Sequence, residues 1–151
     1  MNMKDERQFV GYSKYRSRLV DGHVHTELCP HGSGDRTALM IEKAIELRIE
    51  KVCLTEHAPL PAGFAAEYGG DKKAYDTASL KLNEVDTYLE LGRQLQRAYG
   101  THIDISLGFE VDYIPGFESD IQEFLDRYGP LTDDNILSVH FMEGLNNAFY
   151  C

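Results

Sequence analysis

His23 and His25 close the run Leu19-Val20-Asp21-Gly22-His23-Val24-His25, and histidines one residue apart are a metal-binding arrangement. On a β-strand alternate side chains share a face and stand roughly 6.6 Å apart, so both imidazoles can converge on one ion while Val24 faces away. Five of the six histidines lie beside a turn or strand end, and the carboxylate of Glu110 occupies an equivalent place. Imidazole suits Zn²⁺, Fe or Mn²⁺, and a bridging carboxylate can hold two such ions about 3.5–4 Å apart. The chemistry on offer is a metal site assembled from several strands.

The elements that must carry these groups alternate strand and helix. Hydrophobic patterning predicts strands at about 19–25, 51–55, 103–110 and 136–141, and helices at about 35–48, 79–99 and 117–128. Asp35 reads as the N-cap of the first helix, which turns Ala38, Ile41, Ala44, Ile45 and Ile49 toward a core. The second helix carries Tyr88, Leu91, Leu95 and Ala98 on one stripe and stops at Gly100. The third places Ile121, Phe124, Leu125 and Tyr128 at helical spacing. Between them, residues 58–77, with Pro59, Pro61, Gly63, Gly69 and Gly70, read as a long irregular loop. Such alternation implies an α/β fold built of parallel βα units.

A test of faces separates a site from scattered histidines. In the third strand Ile103, Ile105, Leu107 and Phe109 oppose Ser106, Gly108 and Glu110; in the fourth, Leu137, Val139 and Phe141 oppose Ser138 and His140. Val52 and Leu54 oppose Cys53, Thr55 and, with the strand extended, His57; Val20 and Val24 oppose Asp21, His23 and His25. Each candidate ligand shares a face with small or polar residues and falls at the carboxyl end of its strand, where active sites of α/β barrels and open sheets lie.

Bulk numbers narrow the function classes. The 151 residues carry a net charge of −10, which argues against a surface that tracks nucleic-acid phosphates. No stretch approaches the ~20 apolar residues of a membrane span. Residues 1–18 form a basic leader (Lys4, Arg7, Lys14, Arg16, Arg18) without the apolar core of a signal peptide. Cys29, Cys53 and Cys151 are too few and scattered for a disulfide framework, so a reducing cytoplasm is expected.

Taken together, Asp21-Gly22-His23-Val24-His25-Thr26, Cys29-Pro30-His31-Gly32-Ser33-Gly34-Asp35, Thr55-Glu56-His57, Gly108-Phe109-Glu110 and Ser138-Val139-His140-Phe141 resemble the PHP (polymerase and histidinol phosphatase) metallohydrolase superfamily, nearest to its histidinol-phosphatases. The resemblance implies a distorted βα barrel with up to three divalent ions at the carboxyl ends of its strands. It implies that His23 and His25 bind the first ion, Glu110 bridges the first and second, His140 binds the second, and His31 and His57 bind a third, with Glu110 and His140 counted as catalytic. The implied activity is metal-dependent hydrolysis of L-histidinol phosphate to L-histidinol and phosphate in histidine biosynthesis. The family also uses a later His and an Asp-x-His pair that these 151 residues lack. The expectation is therefore the amino-terminal portion of such a domain at 19–151, about four strands of a partial barrel, able to associate through an exposed strand edge. The alternatives are a PHP-type phosphodiesterase or exonuclease, and a non-catalytic metal-binding half-barrel.

Other residues receive plainer readings. His102 lies at the opposite end of its strand from Glu110 and reads as structural, and Cys29 as a small buried thiol. Asp21 and Asp112 could each orient a histidine or close a turn. Glu56 points away from His57 and reads as solvent-facing or helix-paired. Gly32-Ser33-Gly34 before a helix is a weak phosphate-cradle signal, and Lys72-Lys73 a solvated loop.

Overall fold

The computed structural model describes residues 18–151, so the basic leader lies, apart from Arg18, outside the described residues. Four strands, β1 (Val20–Val24), β2 (Lys51–His57), β3 (Asp104–Asp112) and β4 (Ile136–Ser138), form one sheet in that order, every neighbouring pair parallel. Parallel neighbours need crossovers. Helix α1 (Thr37–Glu46) lies between β1 and β2, α2 (Lys72–Asp76) and α3 (Val85–Tyr99) between β2 and β3, and α4 (Glu118–Tyr128) between β3 and β4. Strands β5 (Met142–Glu143) and β6 (Phe149–Tyr150) make a short antiparallel pair.

The main core lies between the helices and one face of the sheet. Ile41 and Ala44 of α1 and Val85, Tyr88, Leu89 and Leu95 of α3 cover Val52, Leu54, Ile105, Leu107 and Phe109. The buried stripe of α3 runs through Val85, Tyr88, Leu89, Gly92 and Leu95, whereas Ala98, expected on it, is exposed. Gly92 explains the rotation: a Cβ there would stand 2.3 Å from Leu107 Cδ1, so α3 touches β3 where it has no side chain. The central strands are buried on both faces, as parallel strands are.

Several boundaries differ from the sequence expectation. Asp35 does not cap α1; it accepts a hydrogen bond from the Ser33 hydroxyl. The cap comes from a distance: Glu27 Oε2 accepts from Thr37 N at 2.5 Å while Thr37 Oγ1 accepts from Glu27 N. Glu27 therefore already occupies the first amide of the helix that follows the Gly32–Gly34 segment. The second predicted helix begins late, at a single 3₁₀ turn (Leu82–Glu84) leading into α3. The irregular loop at 58–77 contains a 3₁₀ turn (Phe64–Ala66) and α2, whose N-cap Asp71 accepts from Ala74 N. Lys72 is helical and pairs with Asp76.

A second cluster, Phe64, Ile114, Phe141 and Phe149, fixes this excursion to the β5–β6 pair, and Phe149 N and O bond Glu67 O and Gly69 N. The aromatic residues after β4 are therefore a clasp over the segment that follows β2.

Candidate metal centre

The ladder sets the site. β2 and β3 pair His57 directly with Glu110 at their carboxyl ends, and β3 and β4 pair Asp112 with Ser138, leaving His140 just beyond. In β1 the register steps from Asp21↔Val52 to Val24↔Leu54, three residues against two. Such a bulge bends a strand and re-aims its side chains. His25 consequently lies past the strand end, yet His23 and His25 still meet, with ring centroids 4.8 Å apart.

Glu110 is the hub. Its Oε2 lies 3.5 Å from His23 Nε2, 3.4 Å from His25 Nε2 and 3.1 Å from His57 Nδ1, and its Oε1 lies 3.3 Å from His140 Nε2. The carboxylate is 4% exposed. His31, from the turn after β1, brings its ring to 4.9 Å from that of His57. All six residues singled out in the sequence thus converge on one place, whereas His102 is exposed at the far end of β3.

Four of the five imidazoles have a partner on Nδ1. His23 Nδ1 meets Thr55 Oγ1 at 2.8 Å, His25 Nδ1 meets Glu56 Oε1 at 3.1 Å, and His31 Nδ1 donates to Thr77 O at 2.8 Å. His140 Nδ1 meets Asp112 Oδ1 at 2.9 Å, and the same oxygen accepts from His140 N. Asp112 therefore takes the orienting role that was one of its two readings. Partners of this kind fix ring orientation and raise ligand basicity.

Glu56 overturns its sequence reading. It lies on the apolar face in line with Val52 and Leu54, and that face is roofed by helices, so the carboxylate is fully buried rather than solvent-facing. A buried carboxylate needs donors. Thr26 N, Thr26 Oγ1, His57 N and His25 supply them. The signal was available: an acid on an otherwise apolar face must be buried, hence hydrogen-bonded.

Electrostatics follow from these contacts. Burial alone would raise Glu56, but hydrogen bonds from His25 and Thr26 outweigh it and hold the carboxyl below its usual range. The same bond to Glu56 raises His25 against the opposing effect of burial. Burial, with neighbouring His25, pushes His57 down to about 4, so that ring is neutral and able to ligate at pH 7. Burial raises Asp112 against the pull of His140, and it raises the Cys29 thiol, which is buried as expected.

Two buried atoms here have no hydrogen-bond partner, His57 Nδ1 and Glu110 Oε2. They stand 3.1 Å apart without the alignment of a hydrogen bond. Buried orphans are costly unless something binds them. The trios His23–His25–Glu110, His57–Asp112–His140 and His25–Cys29–His57 each bring ligand atoms within 4.8 Å of one another. Imidazoles around a shared carboxylate suit a divalent transition metal, so the residues fit the group.

The family model for the PHP domain matches residues 21–150. The histidinol-phosphatase of Bacillus subtilis (strain 168) is 39% identical over 131 residues, 87% of this chain and 47% of that protein. The crystal structure of HisK from Listeria monocytogenes superposes with a TM-score of 0.83 at 43% identity, over 86% of this chain and 47% of that one. Histidinol phosphate phosphatase HisK from Lactococcus lactis subsp. lactis Il1403, solved with zinc, L-histidinol and phosphate, superposes at 0.63 and 26% identity, over 83% and 41%. The chain thus spans about half the length of the relatives it matches, and its four parallel strands are a partial PHP-type barrel. On the match across residues 21–150, the chain belongs to the PHP domain family.

Proposed function

We propose that the chain carries the ligands of a metal-dependent phosphomonoesterase acting on L-histidinol phosphate, in the cytoplasm, as a step of histidine biosynthesis. The observation that carries this reading is Glu110, a buried carboxylate within 3.5 Å of nitrogen atoms from four imidazoles. The substrate assignment draws on the histidinol-phosphatase relatives and on the ligands named in the Lactococcus structure. His23 and His25 would hold a first ion, Glu110 and His140 a second beside it, and His31 with His57 a third; zinc, manganese and iron are the candidates.

Phosphate monoesters hydrolyse very slowly in water, so the site must supply a nucleophile and neutralise charge. A divalent cluster supplies Lewis acidity for phosphoryl oxygens and activates water near neutral pH. The chain's own part is positional. Thr55, Glu56, Thr77 O and Asp112 hold four rings from outside, leaving their Nε2 atoms for the centre, and the neutral His57 needs no deprotonation. The net charge of −10 and the absence of a membrane-length apolar helix among the described residues fit a small-molecule substrate better than a nucleic acid or a bilayer.

Titration of zinc, manganese and iron(II) into the purified chain tests the centre. Saturable uptake that disappears in the His23→Ala/His25→Ala double variant is expected; unchanged uptake in that variant would refute the ligand assignment. Phosphate release from L-histidinol phosphate, compared with cleavage of a thymidine dinucleotide, tests the substrate class. Preference for the phosphodiester would favour the exonuclease reading, and metal uptake with no hydrolysis the non-catalytic module.

A further inference from the structure

We infer that Glu56 is a positioning residue of the metal centre, fixing the tautomer of His25 and the place of His57 with a single carboxylate oxygen. The inference rests on the metal-centre reading of His25 and adds a residue to it. Glu56 Oε1 meets His25 Nδ1 at 3.1 Å and accepts from the backbone N of His57 at 3.1 Å. Its other oxygen, Oε2, accepts from Thr26 N at 2.9 Å and Thr26 Oγ1 at 2.7 Å. Four donors thus converge on a side chain with no solvent exposure, and the carboxylate cannot turn without breaking two bonds at once.

The consequence for His25 is chemical. A carboxylate only accepts, so Nδ1 must carry the hydrogen and Nε2 must present its lone pair. Nε2 is the atom 3.4 Å from the orphaned Glu110 oxygen. Free imidazole has no such obligation. The His57 bond acts on the backbone at the carboxyl end of β2, where that residue faces Glu110 across the ladder. Tyr88 steadies the preceding peptide from beneath, its hydroxyl accepting from Glu56 N at 3.3 Å. Glu56 therefore sits between the ring assigned to the first ion and the ring assigned to the third, and a displacement of it disturbs both. Carboxylate partners of ligating histidines typically contribute about 10–100-fold in metal affinity.

Long-range ¹H–¹⁵N spectroscopy of the histidine rings in the metal-free chain, at alkaline pH where imidazoles are neutral, reads the tautomer directly. Nδ1–H is expected for His25 in the wild type, and reversion toward Nε2–H in Glu56→Met, which cannot accept. Competition with a chelator should show zinc bound roughly 10–100-fold more weakly by Glu56→Met. Thr26→Val removes one bond to Oε2 and leaves Oε1 alone, so it should lower stability while keeping the tautomer. Nε2–H for His25 in the wild type overturns the inference whether or not Glu56→Met folds. So does a folded Glu56→Met with wild-type zinc affinity. A wild-type chain that binds no zinc removes the metal-centre reading itself, an outcome distinct from zinc bound with the wrong tautomer.

Discussion

Burial and the nearby His25 hold the His57 imidazole down to about 4, below the ~6.5 of an unfolded chain, and this ties the stability of the metal-free protein to pH. Below about 6.5 the unfolded state takes up a proton that the native state refuses, so the His57 contribution favours unfolding increasingly as pH falls toward about 4. Above that window it is level. His25, raised by its bond to Glu56, acts with the opposite sign: its stabilisation is present at low pH and fades as pH rises through its folded value. Comparison with His57→Gln isolates the first effect. In urea titrations of chelated protein, the wild type should lose about 2 kcal/mol relative to His57→Gln between roughly pH 7 and 5. Parallel pH profiles would show that His57 protonates freely in the native chain. At this scale the convergence of His23, His25, His57, Glu110 and His140 was legible in the sequence because a period of two assigns each to a face, and all four strands agreed. Glu56 was misread as solvent-facing although its place in line with Val52 and Leu54 marked it, because an acid on a helix-covered face is buried and must find donors. His31 lies on a turn with no period at all, and only its company in the motif marked it out.

The carboxyl ends of β2 and β3 must stay in register for His57 to face Glu110, and two features of the elements enforce it. The Tyr88 hydroxyl, from α3, lies 2.6 Å from Gly108 O and 3.0 Å from Leu54 O, bridging both strands from beneath. Tyr88→Phe removes this bridge between the two strands, at a cost of about 0.5–1.5 kcal/mol. Because the bridged strands carry His57 and Glu110 two to three residues further on, zinc affinity should fall along with the urea midpoint; a stability loss with unchanged zinc binding would confine Tyr88 to the core. Gly108 is the second feature. A Cβ there would stand 1.6 Å from Asp134 O, where the loop before β4 presses on β3. That loop extends the ladder with side chains: Asp133 Oδ2 accepts from Leu107 N and Asn135 Oδ1 from Phe109 N. Gly108→Ala must push the loop away, and overpacking of this kind costs about 1–3 kcal/mol or more, measurable by thermal denaturation. The helices were readable from their stripes, but the closest approaches, at Gly92 and Gly108, carry no side chain and so no periodic signal. The Glu27–Thr37 cap spans ten residues, and for that reason Asp35 stood in for it in a local reading.

At the scale of the molecule, the sheet has two lateral edges among the described residues, β1 and β4, and both carry apolar side chains in water. Val20 is 49% exposed, Leu137 67% and Val139 60%. Unpaired parallel edges with such side chains are templates for another strand. Charge works against this, since at −10 two copies repel at low salt. Screening removes that repulsion beyond about 8 Å at physiological ionic strength, whereas apolar burial is not weakened by salt. The 151-residue chain should therefore self-associate with concentration, and more strongly as salt is raised, in sedimentation velocity experiments. Burying a Leu and a Val contributes about 1.5–3 kcal/mol each, so Leu137→Lys with Val139→Lys should weaken association on the order of a hundredfold or more. Neither side chain is among the residues that meet Glu110, so zinc uptake should be unchanged in the double variant. A chain that sediments as a monomer at every concentration and salt would show that these edges are protected in solution. Association that survives both lysines would move the contact elsewhere, first to the exposed Met142 and Leu145 beside the β5–β6 pair.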